Sequence, residues 1–329
     1  MATARASAPC RVDLAGGTLD IWPLGLLHPG ACTVNLAIDV RVAVEVAERA
    51  AGFVVTSGED RAEAASLADL LASASGRLAA HVIDHVGLGP VEITITSGSP
   101  RNAGLGASSA LCIALLAACG RLAGRPATST EDLVHEARDI EARLMSLPTG
   151  VQDHYPAVMG GVVEIRHAIG GEEVRPLRVD VDDLGAALTV VYSGRSHFSA
   201  GNNFEVVRRR LQDDATTKEA MAAIATVAAR MGVALEEGRL DTVGELMKRE
   251  MTARCGLSDV VSTPEVEDVL ARAYASGAWG AKVCGAGGGG CLAILTAVET
   301  RTRLAADLES AGYLVLPARP DLRGLETDL

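Results

Sequence analysis

The stretch GSPRNAGLGASSALCIALLAA, Gly98 to Ala118, constrains this chain more than any other. A proline, two glycines around Leu105 and two serines run straight into an apolar segment. Leu111, Leu115, Ala118 and Leu122 recur at helical spacing, so a helix begins near Ser108. The strand-like PVEITITSG (90–98) lies just before it. The chain must therefore turn sharply out of a strand and into a buried helix. Two arrangements fit such a turn. One is a plain helix start, with Ser108 or Ser109 as the cap. The other is a nest of backbone N–H groups that holds an anion, because the first N–H groups of a helix lack partners and its dipole favours negative charge. No Gly-Lys-Ser/Thr follows, so this is not a Walker A loop.

An anion here has to be held locally, because the formal net charge is -12. That charge argues against nucleic acid or an anionic membrane as partner. Aromatic residues make up only 3%, too few for base-stacking platforms. The seven cysteines form no C-x-x-C pair and read as buried, reduced thiols. The N-terminal MATARASAPCRVDLAGG has no apolar signal core, and no run approaches a membrane span. The expected location is the cytoplasm.

With 329 residues, 48% of them hydrophobic, the chain can fill one large or two moderate cores. Residues 32–48 and 90–98 read as strands, with helix over 62–87 between them. Helices are expected at 107–123 and 131–145, strands at 160–168 and 185–194. Beyond residue 199 the pattern is mainly helical: 199–212, 216–232, 239–253 and 263–277. Strand 291–296, helix 299–311 and strand 313–319 close the chain. Strands and helices follow no regular alternation, so the fold class is α+β. The acidic RVDVDDLG marks a boundary, giving domains at 1–183 and 184–329.

Two more glycine-bearing segments stand out. In CRVDLAGGTLDIW (10–22), Arg11, Asp13 and Asp20 flank a Gly-Gly turn, and Asp20 suits sugar or polyol hydroxyls as an acceptor. Taken alone, the segment reads more simply as a charged turn. In AKVCGAGGGGCLAIL (281–295), Gly285, Gly287 and Gly290 satisfy G-x-G-x-x-G, but the strand-like CLAILT follows instead of a helix, which makes it a weak dinucleotide fingerprint. Such small residues let another backbone or a ligand lie against the chain. Between these, Glu141 falls on the apolar face of its helix with Leu133, Ala137, Ile140 and Leu144. A carboxylate facing inward must be paired, protonated or metal-bound. Asp153 follows a helix-ending PTG and begins a short helix, where it serves as a plain N-cap or something more. The simplest structural reading has Glu141 half-buried beside Arg138.

These residues resemble the GHMP kinases, the family of galactokinase, homoserine kinase and mevalonate kinase. PCRVDLAGGTLD is similar to the family's N-terminal motif, SPRNAGLGASSA to its phosphate loop and KVCGAGGGGC to its C-terminal glycine-rich motif. The AGG-x-x-D turn, Ile140-Glu141 and Gly150-Val151-Gln152-Asp153 resemble the sugar kinases acting on heptose 7-phosphate and fucose. VVYSGRSHFS (190–199) resembles their Y-T/S-G-x-x-R segment, although here Arg195 follows Gly194 directly. The resemblance implies the two-domain GHMP kinase fold with its active site in the inter-domain cleft. It implies transfer of the γ-phosphoryl of ATP, with Mg²⁺, to a hydroxyl of a sugar or sugar phosphate, anomeric C1 being favoured. Gly104, Leu105, Gly106, Ala107, Ser108 and Ser109 would then wrap the nucleotide phosphates. Ser109 and Glu141 would hold the metal. Asp153 would lie by the acceptor hydroxyl, as general base or only to orient it, with Arg11 beside it. Gly16, Gly17, Thr18, Asp20, Arg195, Gly285, Ala286, Gly287 and Gly288 would line the substrate site. Arg195, His197 and Lys282 are the candidates to clamp a phosphate already on the acceptor. A non-sugar alcohol resembling mevalonate, or a non-catalytic sensor of the same fold, are the alternatives. Monomer and homodimer are both compatible.

Overall fold

The computed structural model describes residues 2–194 and 199–327. Arg195 and His197 lie outside the described residues. The first half is built on two long strands, β1 (Thr3–Ala15) and β2 (Cys32–Glu48). They pair antiparallel from Thr3 opposite Ala47 to Ala15 opposite Val34, with register shifts at Pro9/Cys10 and Asp13/Ala15. From Val40 on, β2 alternates buried valines with more open residues, as its sequence requires of a strand with one covered face. Its first seven residues are all buried.

Next come β3 (Phe53–Ser57), β4 (Asp60–Ala64), α1 (Leu67–Ala72), α2 (Arg77–Val86) and β5 (Val91–Ser97). The stretch 62–87, expected as one helix, is thus the end of a strand and two helices. Ser66 caps α1 by accepting from the Asp69 N–H, and Gly76, packed against Leu70, separates α1 from α2. Two longer helices follow, α3 (Ala107–Leu122) and α4 (Thr130–Met145), and then the short α5 (His154–Met159). The half closes with β6 (Val162–Ala168), β7 (Gly171–Pro176) and α6 (Val181–Ala187). Residues 185–187, expected as strand, belong to α6, because Asp180 caps it through the N–H groups of Asp182 and Asp183. The acidic run marks a helix start as well as the turning point of the chain.

The second half contains β8 (Leu188–Tyr192), α7 (Ser199–Leu211), α8 (Ala215–Glu236), α9 (Leu240–Cys255), α10 (Pro264–Ala275), β9 (Gly280–Val283), β10 (Cys291–Leu295), α11 (Val298–Ser310), β11 (Leu314–Leu316) and β12 (Glu326–Thr327). One sheet runs β12-β1-β2-β5-β3-β4, with β6 and β7 continuing from the other end of β2. The other is the antiparallel sheet β11-β8-β10-β9.

The last segment does not stay with the second half. Its β12 pairs with β1, Asp321 donates its N–H to Ala37, and Arg41 binds Asp321, Glu326 and the Gly324 carbonyl. Residues 317–327 thus strap the first sheet, which the proposed boundary at 184 does not capture. The largest apolar cluster also runs through both halves, from Val12 and Leu36 to Met231, Met247 and Leu295. Among the described residues, no helix is long and apolar enough to cross a membrane.

Candidate active site

The glycine turn that opens α3 carries no side-chain cap. Gly106 occupies the N-cap position with φ +71°, and neither serine caps the helix. Both serines instead turn to α4. Ser108 Oγ donates to Glu141 Oε1 and Ser109 Oγ to Glu141 Oε2, each at 2.8 Å. Glu141 is buried, with His154 Nε2 2.9 Å away, off the line of a straight hydrogen bond. Burial pushes this carboxyl up, but His154 and the two hydroxyls outweigh it and hold it below the usual range. Arg138, expected beside Glu141, pairs with Asp139 instead.

Asp153 stands at the N-cap of α5 and makes no cap bond. Its Oδ1 accepts from Arg11 Nε at 2.9 Å and Nη2 at 2.6 Å. Arg11 also donates Nη1 to the Gly104 carbonyl, and its backbone N–H to that of Leu105. One buried guanidinium on β1 therefore ties the phosphate-loop candidate to Asp153. Gly106 permits this approach: a Cβ there would lie 3.2 Å from Asp153 Cβ and 3.4 Å from Arg11 Cγ.

Around these groups lies a cavity of about 660 Å³. Residues 102–109, Arg11, Glu141 and Asp153 form its polar wall. Leu78, Leu144, Met145 and Pro148 add apolar lining, while Thr18, Asp20, Gln152 and Asn203 border it as well. Asp20 Oδ2 accepts the Gln152 N–H at 3.0 Å and lies flat against Gly150, where a Cβ would stand 1.7 Å away. Burial holds the Asp20 carboxyl above its usual range despite His167 nearby. Gly285 and Ala286 also line it, and Cys291 donates its N–H to the Ala103 carbonyl. A second hollow of about 600 Å³ between α2 and α4 holds His85 and Arg125, both already paired with Glu136.

Four glycines assigned to the substrate site lie behind it. Gly16 backs onto the Cys32 carbonyl and Gly17 onto Asp13 and Arg254. Gly287 packs on Val261, and the Gly288 N–H binds the Val261 carbonyl. None of the four borders the cavity, and at Gly16, Gly17 and Gly287 backbone or buried side chains occupy the space a Cβ would need.

The three glycine-bearing segments thus meet around one cleft. The description "GHMP kinases N terminal domain" matches residues 69–161, and "GHMP kinases C terminal" matches 231–313. The chain belongs to the GHMP kinase family. A D-glycero-alpha-D-manno-heptose 7-phosphate kinase of Campylobacter jejuni is 26% identical over 306 residues, 88% of either chain. A mevalonate kinase of Thermococcus onnurineus is 29% identical over 232 residues, 68% of this chain and 64% of its own length. The chain therefore spans just under two thirds of that relative. A crystal structure titled as a D-glycero-D-manno-heptose 1-phosphate kinase from "Bacteriodes thetaiotaomicron" superimposes with a TM-score of 0.80 at 20% identity, covering 99% of both chains. The expected α+β GHMP kinase fold is borne out.

In this GHMP kinase Lys282 is no phosphate clamp. It is fully buried, with Nζ 2.9 Å from both the Asp13 carbonyl and Asp13 Oδ2, and 3.5 Å from Glu250. Arg254 completes this cluster by binding Glu250. Asp13, Glu250, Lys282 and Arg254 together cancel in charge, as burial demands. Burial pushes the Asp13 carboxyl up, and Lys282 and Arg254 more than reverse it.

Sequence reasoning passed over Glu250, Arg254 and His154, and named Gln152 only within the motif that ends at Asp153. A signal for the first pair was present. They stand four apart on a helix whose buried positions include Val243, Leu246, Met247 and Met251. A charged pair within an apolar stripe announces a buried ion pair. His154 and Gln152 simply flank Asp153.

Proposed function

We propose that this protein transfers the γ-phosphoryl group of ATP to a hydroxyl of a sugar or sugar phosphate. The observation that carries the reading is the arrangement of Arg11, Asp153 and Glu141 around the uncapped start of α3. Residues 104–109 would cradle the nucleotide phosphates at a helix N-terminus, where no side chain competes for the N–H groups. The apolar lining from Leu78, Leu144 and Met145 suits the nucleobase.

The residues fit a magnesium ion. Ser109 and Glu141 present a hydroxyl and a carboxylate, hard oxygen donors already in contact at the mouth of the phosphate loop. Bound there, Mg²⁺ would neutralise phosphate charge and orient the chain of phosphates. Phosphoryl transfer asks mainly for positioning and charge stabilisation. Both Arg11 bonds go to Asp153 Oδ1, which leaves Oδ2 to accept the hydrogen bond of the acceptor hydroxyl and receive or orient its proton. Arg11 then keeps that carboxylate in register with the loop and offers positive charge to the transferring group.

Thr18, Asp20, Gln152 and Asn203 give the acceptor end several neutral or acidic hydrogen-bonding groups. That set matches a polyol with several hydroxyls, and the sugar phosphate named for the Campylobacter relative is one such compound. Mevalonate, named for the Thermococcus relative, has only two hydroxyls to offer this set. Anomeric C1 is the favoured position. A monomer or homodimer acting in the cytoplasm, without nucleic-acid or membrane partners, accords with this reading. Phosphorus NMR of reactions with ATP, Mg²⁺ and a panel of free sugars, sugar phosphates and mevalonate tests it. A new sugar-phosphate signal supports the reading, and a phosphomevalonate signal alone replaces the acceptor.

A further inference from the structure

Arg254 lies on α9, far in sequence from every loop that borders the cavity. Its side chain is 1% exposed and anchored by Glu250 Oε1 and Oε2. The remaining donors leave the ion cluster. Nη2 donates to the Gly17 carbonyl at 3.1 Å, and Nη1 to the Gly285 carbonyl at 3.2 Å and Thr18 Oγ1 at 3.4 Å. One planar group thus fastens the Gly16–Asp20 turn to the glycine-rich loop.

Charge balance does not account for this arrangement. Glu250 alone would neutralise a cation at this position, and a lysine would supply the same charge. A guanidinium, with five donors in a rigid fork, reaches one carboxylate, two carbonyls and a hydroxyl at once, and the three donors of an ammonium cannot serve all four.

A second observation comes from the turn itself. Thr18 has φ +81°, in the left-handed region that a β-branched residue avoids. Such a conformation persists only where the surroundings enforce it. Arg254 grips the residue before Thr18 and the Thr18 hydroxyl. Thr18 and Asp20 are the members of this turn that border the cavity.

We infer that Arg254 is a positioning residue, which holds the strained Thr18 turn against the Gly285 loop and so sets the affinity for the acceptor. The inference rests on the kinase reading above. Among the described residues Arg254 makes no hydrogen bond to the phosphate loop or to Asp153, so nucleotide affinity should be spared.

The test is steady-state kinetics of the full chain with the acceptor found by phosphorus NMR. Arg254→Lys keeps the charge and loses the fork. The acceptor KM should rise about tenfold, the scale of losing hydrogen bonds from a charged donor, while the ATP KM stays within about twofold. Glycine adopts positive φ without strain. In a Thr18→Gly background the same substitution should therefore raise the acceptor KM by less than about threefold. If Arg254→Lys does not fold, Arg254→Gln combined with Glu250→Gln removes one charge of each sign and carries the same expectations. Equal rises in both KM values, or an equal penalty in both backgrounds, overturn the inference and leave the kinase reading intact. A wild-type protein that phosphorylates no acceptor overturns the kinase reading, and this inference with it.

Discussion

Arg11 directs two hydrogen bonds, at 2.9 Å and 2.6 Å, to the same oxygen of Asp153. An asparagine keeps that acceptor through its own Oδ1 but cannot take up a proton. Asp153→Asn should therefore fold normally and lower kcat by about 10²–10⁴, the range for positioned acid–base groups. The thermal midpoint and kcat of the variant check this. Activity near wild type would remove Asp153 from the chemistry.

Glu141 ties the two serines of the phosphate loop to α4. Glutamine can accept one of those bonds but carries no charge for a metal. Glu141→Gln should shift the Mg²⁺ titration of activity to higher concentration by about tenfold or more, consistent with a lost anionic ligand. An unchanged titration would assign Glu141 to structure alone.

Gly150 lies where any Cβ would sit 1.7 Å from Asp20 Oδ2. Gly150→Ala must displace that carboxylate. The expected result is a loss of about 1–3 kcal/mol in stability, the usual scale of overpacking, with a raised acceptor KM and an unchanged ATP KM. Urea unfolding and kinetics on one preparation read both.

Acid should reveal Glu141 independently of activity. Its carboxyl is held below the usual range when folded, through His154, Ser108 and Ser109 acting against burial. The unfolded chain then binds the proton first, at about pH 4. The stabilisation is complete above that value and disappears as pH falls through the folded one. The stability difference between wild type and Glu141→Gln should therefore shrink as pH drops from 6 to 3. Urea midpoints at several pH values measure it, and a constant difference would contradict the assignment.

The sequence exposed what local periodicity and glycine placement encode. The α3 turn, the inward Glu141 and the long β2 were legible because spacing alone specifies them. Long-range pairing was not. β1 is short of large apolar residues, and its identity as a strand depends on β2 lying beside it. Likewise β12 contributes two residues that become a strand only by meeting β1. Lys282 was a candidate phosphate clamp because nothing local shows that Asp13 and Glu250 converge on it. Gly16, Gly17, Gly287 and Gly288 share a motif with cavity residues, but a motif does not say which glycine faces the ligand. Arg254 was visible only as half of an i,i+4 pair.

The most direct test mixes the protein with ATP, Mg²⁺ and a heptose or hexose acceptor, free or phosphorylated, and follows ADP formation for wild type and Asp153→Asn. The account predicts acceptor-dependent ADP release by wild type, with a sugar-phosphate product, and its near loss in the variant. ADP release that ignores the acceptor, or that survives the substitution, would contradict it.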